Sequence, residues 1–301
     1  SECDLVVAIG MRFDDRATSK VSGFAPNARV IHIDIDPAEI GKNVRVDVPI
    51  VGDVKVVLNE LNKLITPTSH VDWFKQLDGW RKEHPSTDIR NAEGLLPQFV
   101  VRQIYEATGG DATIVTGVGQ NQMWAAQYFC YDKPNTLISS GGLGTMGFGL
   151  PAAIGAKIGC PEKTVWCIDG DGSFQMNIQE LATAVQERAA VKIAILNNGF
   201  LGMVRQWQEL FYEKRYVATP LTSPDFVKVA EAYGISALRV QRNEEVAPAI
   251  EQAMADPGPF LIDFRVEPEE NVYPMVAPGT ALHEIIEAPT KEVILQGRNT
   301  P

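Results

Sequence analysis

At 301 residues the chain is long enough for one large or two modest domains with ample core. Its 45% apolar and 22% charged composition is that of a soluble globular protein, and a net charge of −11 argues against non-specific binding to nucleic acid or an anionic membrane. No run approaches the roughly 18 apolar residues of a membrane span, and Cys3, Cys130, Cys160 and Cys167 show neither C-x-x-C spacing nor a metal-like cluster with histidine, which points to reduced thiols.

The chain opens with Ser1-Glu2-Cys3-Asp4 directly on an apolar run, without an initiator Met or targeting pattern. It is therefore expected to be a fragment lacking an N-terminal part. Leu5–Ile9 and Val30–Ile35 read as strands, and Val54–Ile65 as an apolar-faced helix. The break at Thr66-Pro67-Thr68-Ser69 begins a polar stretch with Trp73 and Trp80 at helical spacing, read as a linker with one helix. A second α/β series follows: helix Pro97–Thr108, strand Ala112–Thr116, helix Gln120–Phe129, strand Thr136–Ser139, and a small-residue helix from Leu150. Strand Thr164–Ile168, helix Asn177–Arg188 and strand Val191–Leu196 come next. Helices Leu201–Tyr212, Pro224–Tyr233 and Val246–Ala255 then alternate with strands Ala237–Val240 and Phe260–Arg265. This alternation predicts two doubly wound parallel-sheet α/β domains. The expected division is 1–66, 67–94 as linker, 95–270, and a C-terminal tail 271–301 whose part from Glu287 lacks an apolar period.

The strongest chemical signal is Gly170-Asp171-Gly172-Ser173-Phe174 followed by Asn197-Asn198. A strand–helix–strand unit would bring Asp171 and Asn198 to one edge of a parallel sheet, where open α/β sheets bind ligands. One carboxylate oxygen and one amide oxygen form a hard, weakly charged pair, which suits Mg²⁺ completed by phosphate oxygens and water. Taken singly, each residue could equally end a strand in a turn. Asn177 and Glu180 form an N-cap signature for the helix that follows.

Thr116-Gly117-Val118-Gly119-Gln120-Asn121 is another strand-to-helix glycine turn. Gln122 replaces the third glycine of a dinucleotide fingerprint and no acid closes the next strand, so a nicotinamide site is not expected. The turn can still offer backbone N–H groups and the Gln120 and Asn121 amides to a phosphate. Ser140 to Gly149 is the densest glycine run, able to approach a flat ligand closely, and Met146 within it is either core or an apolar wedge under that ligand. Near the start, Gly10-Met11-Arg12-Phe13-Asp14 follows one strand and Asp34 with Ile35 ends the next, the position of an adenosine-ribose contact; Gly52-Asp53 adds a third element to that edge. After Asn198, Gly202-Met203 starts a helix carrying Trp207, Phe211 and Tyr212, either core or a wall of the ligand pocket.

Together these segments resemble the thiamine diphosphate enzymes, whose diphosphate-binding signature matches Gly170-Asp171-Gly172 with Asn197-Asn198. Over nearly its whole length the chain is similar to acetohydroxyacid (acetolactate) synthase catalytic subunits, through Arg12–Arg16, His32–Pro37, Gly117–Gln120, Gly141–Gly144, Met146–Pro151, Gly202–Val204 and Gln206-Trp207. The resemblance implies roles. Asp171, Asn198 and the Phe200 carbonyl would hold Mg²⁺. Gln120, Asn121, Gly172 and Ser173 would line the diphosphate of thiamine diphosphate. Gly144, beside Thr145, would receive the aminopyrimidine, and Met146 would wedge the cofactor into a bent form. Gly10, Met11, Arg12, Phe13, Asp14, Asp34, Ile35, Gly52 and Asp53 would hold a structural FAD. Arg16 would meet the carboxylate of a second 2-oxo acid, and Met203 and Trp207 would shape the acceptor pocket.

The same resemblance implies decarboxylation of pyruvate and ligation to pyruvate or 2-oxobutanoate in branched-chain amino-acid biosynthesis. It implies a homodimer or higher oligomer, a small regulatory subunit, and a cytoplasmic or plastid-stroma setting. Pyruvate oxidase or glyoxylate carboligase chemistry is the alternative, and a non-catalytic cofactor-binding module another. Asn121 stands where the family more often has His, and Pro278 where plant relatives carry a small residue at an inhibitor contact. The glutamate that activates the cofactor lies, in the family, in an N-terminal domain, so the chain alone is expected to be inactive.

Overall fold

A computed structural model describes residues 1–288. The expected extension from Glu287 lies, but for its first two residues, outside that range. The chain forms two compact units, Ser1–Ser86 with the segment from Tyr273, and Thr87–Val272.

The first unit carries a three-stranded parallel sheet in the order β1 (Leu5–Ile9), β2 (Arg29–Asp34), β3 (Val48–Val51). A short helix α1 (Asp15–Thr18) follows β1; α2 (Val54–Leu64) and α3 (Val71–Glu83) follow β3. The core of this unit is small: Ala8, Phe13 and Val30 are buried, with Val6, Met11 and Phe24 packed against them. Period-two alternation leaves Leu5, Val7 and Ile9 about half exposed on the other face of β1. Helix α3 buries none of its residues, and its Trp73 and Trp80 rings meet edge-on at 5.8 Å.

The second unit is an α/β sandwich. In chain order it runs α4 (Pro97–Thr108), β4 (Thr113–Thr116), α5 (Gln120–Tyr128), β5 (Leu137–Ile138), α6 (Gly149–Gly159) and β6 (Val165–Gly170). It continues through α7 (Asp171–Gln175), α8 (Leu181–Gln186), β7 (Lys192–Asn197), α9 (Gly202–Phe211), α10 (Phe226–Ala232), β8 (Ser236–Val240), α11 (Asn243–Ala255) and β9 (Phe260–Arg265). Six parallel strands stand in the order β5-β4-β6-β7-β9-β8. Strands β6, β7 and β9 are covered on both faces, as the apolar run of each requires in a parallel sheet. Alternate residues feed two cores. Trp166, Ile168, Leu196 and Phe264 pack with α4, α5 and α11, while Cys167, Ile193, Ile195 and Leu261 pack with α6, α8 and α10.

The helix expected from Asn177 to Arg188 is a single 3-10 turn at Ile178–Glu180 followed by the shorter α8, and α7, which was not expected, precedes them. Asn177 does not cap it. Its amide nitrogen donates to the Gly147 carbonyl at 2.8 Å, so the side chain is spent on the glycine run instead. In the segment after Val272, β10 (Met275–Val276) pairs antiparallel with β11 (Ile285–Ile286). Among the described residues no helix is long and apolar enough to cross a membrane.

Ile195 lies fully buried at the centre of β7, whereas Leu64 at the end of α2 is 80% exposed. Truncating Ile195 to Ala is expected to lower the unfolding free energy by about 2–5 kcal/mol. Leu64→Ala should stay within about 0.5 kcal/mol of wild type. Urea titrations of the two variants check the contrast.

Candidate functional site

The strand order of the second unit reverses between β4 and β6. From β4 the chain moves outward to β5, and from β6 it moves the other way to β7. Chain segments leaving adjacent strand ends in opposite directions open a crevice at their carboxyl edge. The turn Gly117–Gly119 leaves β4 there, Gly170 ends β6, and Asn198 follows β7. A pocket at this edge is lined by Val118, Gly119, Gln120, Asn121, Gly170 and Asn198, with Trp124, Leu196 and Gly202 behind them. Gly119 adopts φ +148°, a left-handed value that glycine accepts at little cost as α5 begins.

Asp171 opens α7 and is 1% exposed. Burial pushes its carboxyl up to about 6, opposed by the hydrogen bond from the Ser223 hydroxyl to Oδ2 at 2.9 Å. The amide of Gln175 reaches both the Asp171 carbonyl and Ser223 Oγ, at 3.1 and 3.3 Å, tying this group together. Asn198 is also buried; its Oδ1 accepts from the Phe200 N–H at 3.0 Å and its Nδ2 donates to Gln120 Oε1 at 3.1 Å. The Phe200 N–H can only donate, which fixes which end of the Asn198 amide is oxygen. Among the described residues no group of three or more His, Cys, Asp or Glu is placed to hold a metal ion by itself. The donors at this edge are one carboxylate and amide or backbone oxygens, a set that fits Mg²⁺ with phosphate and water and does not fit zinc.

Three residues read from sequence as diphosphate contacts have their polar ends bound within the protein. Gln120 Nε2 donates to Gln206 Oε1 and to the Glu270 carbonyl, at 2.9 and 3.0 Å. Asn121 Nδ2 donates to the Ile168 carbonyl at 3.1 Å. Ser173 Oγ accepts from the Val118 and Gly147 amides at 3.2 and 3.1 Å. Gln206 and Arg205, both fully buried on α9, extend this network. The Gln206 amide exchanges two hydrogen bonds with the Val272 backbone, and the Arg205 guanidinium donates to the Glu270 carbonyl and to Asn271. Sequence reasoning missed Ser223, Arg205, Glu270 and Asp169. Ser223, Arg205 and Glu270 show themselves through partners far along the chain, and Asp169 through Gly117 and Gly149, which close on its carboxyl group.

Gly144 and Thr145 are exposed, and Gly144 takes φ +64° in a turn closed by its own N–H onto the Ser140 carbonyl. Met146 is half-buried, and its methyl lies 3.7 Å from where a Cβ on Gly172 would project. On α9, Met203 and Trp207 are half-buried, with the Trp207 ring edge-on to Phe211 at 5.4 Å.

In the first unit, Gly10, Asp34 and Gly52 stand side by side at the carboxyl edge of β1, β2 and β3, linked by Gly10 N–H to the Ile33 carbonyl and Gly52 N–H to the Asp34 carbonyl. Asp14 caps α1 and pairs with Arg12 at 2.7 Å, and Asp53 caps α2 through the Lys55 and Val56 amides. Phe13 is core, wedged edge-on against Phe24 and His32, whereas Ile35 is 71% exposed. Met11 is half-buried at the same edge, and Arg16 projects from α1 into solvent.

Residues 117–264 match the family described as thiamine pyrophosphate enzyme, C-terminal TPP binding domain, and residues 1–61 match the thiamine pyrophosphate enzyme central domain. The chain is 52% identical to an acetolactate synthase of Mycobacterium leprae over 94% of its own length and 47% of that relative's. It is 50% identical to an acetolactate synthase large subunit of Corynebacterium glutamicum, covering 94% of this chain and 47% of that one. A large subunit from Cyanidium caldarium is 47% identical, covering 95% of this chain and 50% of the relative. The chain thus spans about half the length of the curated relatives it matches.

The Asp171 carboxyl, raised by burial from 3.8 to about 6, gives the folded protein a proton that the unfolded chain releases between those values. Its contribution to stability is therefore whole below about 3.8 and lost as pH rises through about 6. In metal-free buffer, Asp171→Asn should match wild type near pH 4 and exceed it at pH 7, by at most on the order of 3 kcal/mol. Urea titrations across that range measure the difference, and a constant difference would refute the assignment.

Proposed function

We propose that this chain, which belongs to the thiamine pyrophosphate enzymes and within them to the acetolactate synthase large subunits, carries the cofactor-binding half of an acetolactate synthase. The full-length protein would decarboxylate pyruvate and join the remaining two-carbon unit to pyruvate or 2-oxobutanoate, in branched-chain amino-acid biosynthesis. The observation that carries this reading is that buried Asp171 and Asn198 follow the neighbouring strands β6 and β7 at one sheet edge, next to the reversal of strand order and the glycine turn that opens α5.

Asp171, Asn198 and the Phe200 carbonyl would hold Mg²⁺. The diphosphate of thiamine diphosphate would rest on the backbone amides of Gly172 and Ser173 and on those at the start of α5, Gln120 and Asn121, where free N–H groups and the helix dipole favour an anion. The Gly144–Met146 turn would receive the pyrimidine ring, with Thr145 at its rim and Met146 as the apolar support beneath. When bound, thiamine diphosphate supplies the electron sink that allows a 2-oxo acid to lose CO₂. Met203 and Trp207 would bound the acceptor side and exclude water, and Arg16 would meet the acceptor carboxylate through its guanidinium.

In the first unit, Gly10, Met11, Arg12, Phe13, Asp14, Asp34, Ile35, Gly52 and Asp53 would form the FAD edge. Support comes from their shared place at the ends of three parallel strands. Asp34, half-buried with its Oδ1 already accepting from the Asp36 N–H at 2.9 Å, has its second oxygen for a ribose hydroxyl. The large-subunit names of the relatives support a small regulatory partner, alongside self-association as a dimer or higher oligomer. A cytoplasmic or plastid-stroma setting accords with bacterial and red-algal relatives.

With Mg²⁺, thiamine diphosphate and pyruvate, the full-length protein is expected to release CO₂ and acetolactate in equal amounts; acetyl phosphate or tartronate semialdehyde as the product would overturn the assignment. Asp171→Ala should abolish Mg²⁺-dependent cofactor binding. Ser223→Ala, which removes the hydroxyl that orients Asp171, should weaken Mg²⁺ binding about 10- to 100-fold. Mn²⁺ titration followed by electron paramagnetic resonance reads that loss directly, and unchanged affinity in Asp171→Ala would refute the metal site.

A further inference from the structure

We propose that Asp169 is a positioning residue for the diphosphate seat, acting through the Ser173 hydroxyl; the inference rests on the reading of that seat given above. Asp169 lies in β6, is fully buried, and is used by none of the roles assigned so far. Its carboxyl group fills space that two glycines leave open. A Cβ on Gly117 would stand 1.6 Å from Asp169 Oδ1, and one on Gly149 would stand 2.6 Å from Oδ2. The turn after β4, the first residue of α6 and the end of β6 therefore close on one carboxyl group.

Its hydrogen bonds run in one direction. The Gly170 N–H donates to Oδ1 at 2.9 Å, and Ser173 Oγ stands beside the same oxygen, the two lying 2.6 and 1.6 Å from where a Cβ on Gly117 would project. A serine hydroxyl has one proton and two lone pairs. Both lone pairs of Ser173 are taken, by the Val118 N–H at 3.2 Å and the Gly147 N–H at 3.1 Å. The proton therefore goes to Asp169. The carboxyl group turns the hydroxyl, and the hydroxyl pins two turns to the helix that Asp171 opens. Val118 belongs to the turn that opens α5, and Gly147 follows Met146, so both pinned turns border the cofactor. Packing alone does not account for an acid here. Oδ2 is buried without a hydrogen-bond partner, a cost that an apolar side chain of similar size would avoid.

The test is calorimetric binding of thiamine diphosphate with Mg²⁺ to the full-length protein, together with kcat at saturating cofactor. Asp169→Ala and Ser173→Ala should each weaken cofactor binding about 10- to 100-fold, and the double variant should lose no more than either alone, because both cut one chain of bonds. Asp169→Asn keeps a carbonyl oxygen for the Ser173 proton and should stay within about threefold of wild type. Saturating cofactor should restore most of kcat in all of them. Wild-type affinity in every variant with only a lowered melting temperature would overturn the proposal, as would equal losses in Asp169→Asn and Asp169→Ala. Should Asp169→Ala fail to fold, Ser173→Ala and Asp169→Asn carry the comparison. Asp171→Ala in the same assay separates the premises: wild-type binding there would refute the seat itself, not the role of Asp169.

Discussion

Asp169 and Asp171 are two residues apart at the end of β6, and both are withdrawn from water, at 0% and 1% exposure. Removing a carboxylate from water costs several kcal/mol unless partners replace the lost solvation. Burial accordingly pushes the two carboxyls up to about 7 and about 6. The larger unit is arranged around this cost. Asp169 is the last residue but one of β6, and Asp171 opens α7 one residue beyond the strand. The inner group is met by the fold, through the Gly170 amide and with the Ser173 hydroxyl beside it. The outer one receives Ser223 and is otherwise suited to a cation.

Much of the glycine pattern follows from the inner carboxyl. Glycine serves two separate purposes here. At Gly119 and Gly144 it supplies left-handed backbone for turns. At Gly117 and Gly149 the constraint is space, since any Cβ would strike Asp169. From the sequence these positions look alike, as members of glycine-rich runs. In three dimensions the first kind shapes the turns, and the second lets the turns and the helix that follows approach the strand.

The strands and long helices were legible because each carries its own periodic signal. Leu5–Ile9, Pro97–Thr108 and Phe260–Arg265 fall where their apolar patterns place them. β3 was legible only through Gly52-Asp53, the element expected to add to the edge of the first two strands. It is four residues long, includes Pro49, and leaves most of its side chains in solvent. The segment after Asp171 misled because Asn177 resembles a cap in sequence, while its amide is spent on Gly147. At the site, Asp171 and Asn198 could be found because their neighbours form a local motif. Ser223 could not, since its role depends on a carboxylate 52 residues earlier, and Gln206 pairs with Gln120 across 86 residues. Local pattern reveals the groups that face a ligand; the groups that orient them are fixed by tertiary contacts.

That distinction bears on Asn121, a position at which the family resemblance implies His more often. If the side chain pointed at a phosphate, exchanging an imidazole for an amide would alter the charge available to the anion. In this structure the Asn121 amide instead donates to the Ile168 carbonyl of β6, and its oxygen lies 3.2 Å from where a Cβ on Gly170 would project. The side chain thus braces the start of α5 against the strand that ends at Asp171. Gln120 is engaged at both ends of its amide, and Ser173 at both lone pairs. With these polar ends occupied, the turn meets an anion mainly through backbone N–H groups, which every residue but proline supplies. The exchange at position 121 therefore acts on how firmly the turn is held to β6, and only through that on the anion.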